Sequence, residues 1–164
     1  MSDGLARFNA LPVDKAERRL YSCLASRGWV ASVARARPFK DLDGLLAAAE
    51  SAFSTLSPPD WASAVAAHPR IGEQGGHAPE SSEREQSTVA RAAPETLAAL
   101  AAENGRYEER FGHVFLIAAM GRGAEEILDV LRERMHNDRA TEVKIAADEL
   151  RKITRIRLER LVSE

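Results

Sequence analysis

An all-α fold, a single compact bundle of about eight helical segments, follows from three observations on this 164-residue chain. Apolar residues recur at three- and four-residue steps in one segment after another. No segment of strand length alternates apolar with polar, and alanine, the best helix former, is abundant throughout. The length suits one domain with its own core, and no linker divides residues 1–164.

The elements can be justified in order. A polar helix follows Met1-Ser2-Asp3-Gly4, and Asn9 to Pro12 resembles the start of the next. Ala16, Leu20, Cys23 and Leu24 make one apolar stripe there, so Cys23 faces the core as a small hydrophobe. Gly28 breaks this helix, and Trp29, Val30 and Val33 begin a short one that stops before Pro38, leaving Arg37-Pro38-Phe39 as a turn. Asp41 or Asp43 caps a helix whose Leu42, Leu45, Leu46, Ala49 and Phe53 face inward. Ser57-Pro58-Pro59-Asp60 is a strong helix start, with Ser57 as cap and proline in the first turn. Trp61, Ala64, Val65 and His68 follow at helical spacing. Pro69 restricts His68 to extended backbone, so His68 stands at the helix exit.

Gly72, Gly75 and Gly76 then permit a loop with positive φ values. Ser82 precedes Glu85 at the spacing of a capping box, which predicts a short helix from Ser82 to about Arg91. Pro94 opens another, with Leu97, Leu100, Ala101, Asn104 and Phe111 on one side and Gly112 at its end. Val114 to Met120 is too apolar for a surface loop and reads as buried, helical or extended at its start. After Gly121 and Gly123, the residues Ile127, Leu128, Leu131 and Met135 form an amphipathic helix ending near His136-Asn137. The last helix, about Asp138 to Val162, turns Val143, Ala146, Ala147, Leu150 and Ile153 inward, and the same step lands on Arg157.

Composition excludes several functions. With 23 basic against 25 acidic residues, no dominant nucleic-acid surface is expected. A lone cysteine rules out an intramolecular disulfide or a Cys-rich zinc site. No signal-like start or membrane-length apolar run is visible, so a soluble cytoplasmic protein without membrane contact is expected.

The candidate chemistry is concentrated between Ala67 and Gln86. His68 offers an imidazole at a helix exit, or a ring that merely closes the helix end. Ser82, Glu85 and Gln86, three and four residues apart, share one helical face and offer a hydroxyl, a carboxylate and an amide; a capping box with Gln86 solvated is the plainer alternative. Arg157 lies on an apolar stripe, where a guanidinium must be exposed at the edge, paired, or holding an anion, and edge exposure is the commonest outcome. His77, His113 and His136 sit in loop or turn contexts and receive no role. No HExxH helix or second ligand at a recognised step accompanies His68, so no metal is expected. Together these groups would suit a small, polar, acidic substrate.

These residues form an ordered set: Trp29, Arg37-Pro38-Phe39, Asp60-Trp61, Ala67-His68-Pro69-Arg70-Ile71-Gly72, Ser82-x-x-Glu85-Gln86, Asn104-x-x-Tyr107-x-x-x-Phe111-Gly112, Phe115, Gly121-Arg122, Glu142, Ala146, Glu149, Ile153, Arg157 and Leu158. The set resembles the 2-oxo-4-hydroxy-4-carboxy-5-ureidoimidazoline (OHCU) decarboxylase family of urate breakdown. The resemblance implies an all-helical, homodimeric enzyme without metal or cofactor that converts the ureidoimidazoline to (S)-allantoin and carbon dioxide. It assigns His68 and Glu85 as the catalytic pair. It assigns Pro69, Ser82, Gln86 and Arg157 to substrate binding, together with the backbone of Phe115, Leu116, Ile117, Ala118 and Ala119. Departures from the family pattern are Gly75-Gly76-His77 in the loop and Ser87-Thr88 after the Glu-Gln pair. Two rivals are a metal-dependent hydrolase of a related purine-ring product, and a non-enzymatic helical scaffold that engages a partner through the basic stretch Arg151-Lys152 to Arg160.

Overall fold

Side-chain caps decide where the early helices begin. Ser2 Oγ accepts the Leu5 N–H at 3.2 Å and opens α1 (Asp3–Ala10). α2 (Val13–Cys23) follows Pro12. Ser26 Oγ accepts the Trp29 N–H at 3.2 Å at the head of α3 (Arg27–Arg35), and Asp41 accepts the Gly44 N–H at 2.9 Å at the head of α4 (Leu42–Phe53). α5 (Pro58–Ala66) starts with the predicted cap: the Asp60 N–H donates to Ser57 Oγ at 3.2 Å and the Ser57 hydroxyl donates to Asp60 Oδ2 at 3.0 Å. The break expected at Gly28 falls at 24–26 instead. The Ser26 cap sets the new start and carries Gly28 inside α3, where a Cβ would lie 3.0 Å from Asp60 Oδ2.

The later elements are α6 (Pro79–Glu85), a 3-10 turn (Val89–Arg91), α7 (Pro94–Phe111), α8 (Ala124–Arg134) and α9 (Arg139–Ser163). The structure, a computed structural model, describes residues 1–73 and 75–164; Gln74, inside the predicted glycine loop, lies outside them. Among the described residues there are nine α-helices and no strand, so the all-α expectation holds with one helix more than predicted. Among those residues no helix is long and apolar enough to cross a membrane.

The backbone gathers into two compact units, residues 1–64 with 151–164, and residues 65–150. In the first, α3 packs on α2 and α4 over a core that includes Leu5, Phe8, Leu20, Trp29, Val33 and Leu45. The Trp29 Nε1–H donates to the Ala49 carbonyl at 3.0 Å, which satisfies the one polar atom of this buried indole. Cys23 lies in that core as expected. The turn at Arg37-Pro38-Phe39 contains a cis peptide bond and is held from two sides. The Asn9 amide donates to the Phe39 carbonyl at 2.8 Å and accepts its N–H at 2.9 Å. The Arg37 guanidinium donates to the carbonyls of Phe8, Leu11 and Ala34 at 3.0, 2.8 and 3.2 Å.

In the second unit, α7 packs on α8 over Leu100, Tyr107, Phe111, Phe115, Ile117, Ile127 and Leu131. α7 ends at Gly112 in the left-handed region (φ 78°), as its sequence predicts. The residues that follow, 113–123, carry no helix, and Phe115, Leu116, Ile117 and Ala119 among them are buried. Along α9 the expected stripe holds at Ala146, Leu150, Ile153 and Arg157 but not at its start. Val143, expected inward, is 45% exposed, and the inward position belongs to Glu142, which is 0% exposed because its carboxylate pairs with Arg134 at 2.5 Å.

Candidate active site

α5 ends one residue before Ala67, and the His68 N–H bonds back to the Val65 carbonyl at 3.2 Å. His68 is 7% exposed. The Ala67 carbonyl is gripped twice by His77: its backbone N–H donates at 3.0 Å, and its Nδ1 lies at 3.2 Å. A carbonyl only accepts, so His77 Nδ1 carries a proton. That grip sets the His77 ring edge-on to the His68 ring, with centroids 5.2 Å apart. Gly76 makes the approach possible. Its φ is +80°, and a Cβ there would come within 2.7 Å of Pro69 Cδ and 2.8 Å of the Ala67 carbonyl oxygen.

The front of the loop is pinned from three sides. Arg70 forms a two-pronged pair with Glu108, at 2.6 and 2.9 Å, and approaches Glu73 at 3.6 Å. The hydrogen bond and charge of Glu108 raise the Arg70 pKa further above its already high range. The buried Asn104 amide donates to the Ile71 carbonyl at 3.1 Å. The Gly72 N–H donates to Gln86 Oε1 at 2.9 Å. An N–H can only donate, so this bond fixes which way the Gln86 amide faces and turns its NH2 group, a pair of donors, the other way. Gln86 is therefore engaged through its oxygen, where spacing alone allowed a solvated side chain.

Ser82 is not a helix cap. α6 begins at Pro79, and the Ser82 N–H already donates to the Ala78 carbonyl at 3.1 Å. Proline suits the first helical turn, where its missing N–H would have had no partner anyway, so the start moves three residues upstream of the predicted one. The helix is also shorter, ending at Glu85 with Gln86 at its C-cap; only a 3-10 turn follows at Val89–Arg91. Ser82 and Glu85, three residues apart inside α6, are both buried on its inner face, while Glu83 and Arg84 are exposed. The capping-box alternative for this pair is thereby removed. His68, Ser82, Glu85 and Gln86 come from the two sides of one loop, whose sides are tied by the bonds from His77 to Ala67 and from Gly72 to Gln86.

The backbone of 115–119 belongs to the same unit. Phe115, Leu116, Ile117 and Ala119 are buried and Ala118 is half-buried. Behind it, Tyr107 and Glu142 of the family set join Arg134, which sequence reasoning missed, in one network. Arg134, 5% exposed at the end of α8, donates from Nη1 to the Leu116 carbonyl at 2.7 Å and from Nε to Glu142 Oε1 at 2.7 Å. Its guanidinium carbon lies 4.4 Å from the Phe115 ring centroid. Glu142 also accepts the Tyr107 hydroxyl at 2.5 Å and the Asn137 amide at 3.1 Å. Burial first, and then the Glu142 hydrogen bond, push the Tyr107 phenol far above its usual range, so it stays a donor. The sequence did hold a signal, because Arg134 follows Ile127 and Leu131 on the buried stripe, beside Met135, which packs against the same core.

Arg157 lies in the other unit. It is 4% exposed, where edge exposure had been the commonest outcome, and its Nη1 donates to the Ser22 carbonyl at 3.3 Å. Among the described residues no three His, Cys, Asp or Glu side chains are gathered as a metal site would need.

The OHCU decarboxylase family model matches residues 9–159. A uric acid degradation bifunctional protein of Arabidopsis thaliana is 33% identical over 148 residues, 87% of this chain but 46% of that protein, so the chain spans less than half of this relative. A 2-oxo-4-hydroxy-4-carboxy-5-ureidoimidazoline decarboxylase of Haloferax volcanii is 34% identical over 143 residues, covering 83% of each chain. Among solved structures, an OHCU decarboxylase crystallised in the presence of (S)-allantoin superposes with a TM-score of 0.80 at 31% identity, over 90% of this chain and 99% of that one. An (S)-allantoin synthase shares the fold at 16% identity with a TM-score of 0.74.

Proposed function

Because the chain belongs to the OHCU decarboxylase family, we propose that it decarboxylates 2-oxo-4-hydroxy-4-carboxy-5-ureidoimidazoline to (S)-allantoin in urate breakdown. The observation that carries this is the family match running unbroken from residue 9 to residue 159, through the whole His68-to-Gln86 stretch. The same continuity supports treating residues 1–164 as one functional domain. The enzyme needs no metal or organic cofactor and works as a soluble cytoplasmic homodimer.

The chemistry asks for three things. The ring carbon–carboxylate bond breaks, carbon dioxide leaves, and the electron pair stays on the ring carbon, spreading onto the adjacent C=N and carbonyl. Donors must therefore face the atoms where this charge develops. The carboxylate must be held out of the ring plane, so that the breaking bond overlaps the π system. A proton must then reach one face only, which makes the product a single enantiomer. His68 is the group that moves the proton, with Glu85 fixing its orientation and charge. The Gln86 NH2 group, Ser82, the region of Pro69 and the backbone of 115–119 hold the ureido and ring groups. Arg157 enters on its chemistry, as a permanent cation suited to an anionic substrate.

Freshly made urate-oxidation product, with the handedness of allantoin followed, tests this. His68→Asn should fold and lose on the order of 100-fold or more in turnover. The double variant with Glu85→Gln should be little worse than the worse single one, because coupled catalytic groups are not additive. Arg157→Lys should weaken substrate binding by about 1 to 3 kcal/mol. Extensively chelated enzyme should keep full activity. Near-wild-type turnover in His68→Asn, or activity that returns only with added metal, would end this reading.

A further inference from the structure

The backbone of 113–119 has no helix or sheet ladder to orient its peptide groups, yet Phe115, Leu116, Ile117 and Ala119 in it are buried. Within it, the Leu116 carbonyl is held by a side chain from another element, Arg134 Nη1, at 2.7 Å. The only cis bond among the described residues is at Pro38, so the Leu116–Ile117 peptide is trans and planar, and its N–H points opposite to its C=O. Turning the Leu116 carbonyl toward Arg134 therefore turns the Ile117 N–H away from it. That N–H has no acceptor among the described residues. Arg134 is itself immobilised by Glu142, which Tyr107 and Asn137 hold in turn, and its planar face lies over Phe115, the residue just before the held carbonyl.

We propose that Arg134, locked by Glu142 and Tyr107, is a positioning residue that aims the Ile117 N–H at the substrate atom where charge accumulates during decarboxylation. The proposal rests on the decarboxylase reading above. A stability role alone does not account for the network, because a buried ion pair is often replaced by apolar side chains of similar volume with no loss of stability. Orientation of one peptide plane is what apolar side chains could not supply.

The test is kinetic and structural at once. Arg134→Lys keeps the charge but lacks the planar fork that reaches Glu142 and Leu116 together. Its kcat should fall about 10- to 100-fold with KM changed by less than about threefold, since a donor aimed at developing charge acts in the transition state. Glu142→Gln and Tyr107→Phe should shift kcat in the same direction by smaller factors. Leu128→Ala, a core change in α8 away from the network, serves as the control for equal loss of melting temperature. Amide exchange of the substrate-free protein over residues 114–120 gives a second readout, and it should rise in the network variants beyond the control. If Arg134→Lys does not fold, the other two variants carry the same comparison. Network variants that match Leu128→Ala in both kcat and exchange would overturn the proposal. Wild-type protein that forms no allantoin would instead overturn the decarboxylase reading, leaving the exchange comparison to decide on the positioning alone.

Discussion

Arg37 and Arg134 perform one task at two depths. Each binds backbone carbonyls: Arg37 those of Phe8, Leu11 and Ala34, in or just past the last turns of α1 and α3, and Arg134 that of Leu116, in a stretch without regular structure. Arg37 is half-buried and has no carboxylate partner among the described residues, whereas Arg134 is buried and ion-paired with Glu142. The difference follows from solvation. Water still reaches part of Arg37 and offsets its charge, while a fully buried guanidinium needs an anion in place of that water. Depth, more than the carbonyls being held, decides whether a backbone-holding arginine needs a counter-ion.

The comparison can be broken most directly at Glu142. Glu142→Leu leaves Arg134 buried without its anion, and the stability read from urea titration should fall by about 3 to 5 kcal/mol. A loss below about 1 kcal/mol, typical of exposed pairs, would mean that water reaches Arg134 and that the two arginines do not differ. Arg37→Met removes charged donors to several carbonyls that solvent can partly resolvate, and about 1 to 3 kcal/mol should be lost in the same titration. A smaller effect sharpens the contrast: the double variant Arg134→Met with Glu142→Leu should recover to within about 1 to 2 kcal/mol of wild type, because no charge is then buried. Failure to recover would show that shape, more than charge balance, maintains the region.

The smallest effect concerns an exposed carboxylate that needs no burial to be stabilised. Asp138 accepts the Thr141 N–H at 2.7 Å in the first turn of α9, and that bond holds its pKa below the usual carboxylate range. A lowered folded pKa contributes stability that is present above the unfolded value, about 3.9, and is lost as pH falls through the folded value. Asp138→Asn should therefore melt slightly earlier than wild type at neutral pH, with the gap closing in acid. A gap that does not change with pH would assign the effect to the hydrogen bond alone.

What the sequence made legible was local. The Ser57 start, the Gly112 stop and the burial of Cys23 and Asn104 follow from residues within a turn or two of each other. Ser82 was misplaced because two start signals lay side by side and the proline prevailed, so the capping box never formed. The inward place of Glu142 and the part played by Arg134 were hidden for a different reason. Hydropathy counts a glutamate as outward, and what brings it inward is a partner on another helix that no spacing reveals. In the candidate site, His68, Ser82 and Glu85 stood out as residue types, but the fixed orientation of Gln86 needed Gly72 to be brought to it through the fold.

The first unit also has a history built into its order along the chain. Ser2 Oγ donates to the Val162 carbonyl at 3.4 Å, Arg7 reaches the Glu164 carbonyl, and a Cβ on Gly4 would collide with the Val162 carbonyl. Residues 1–64 share this unit with 151–164, whereas 65–150 is continuous. On a ribosome adding about 5 to 20 residues per second, the early segment emerges roughly 4 to 17 seconds before the residues that complete it. During that interval α1 has nothing at its Gly4 contact, whereas the 65–150 unit has all of its residues by the interval's end. A stall just before residue 151 would therefore strand the earliest-made helices without their last partner.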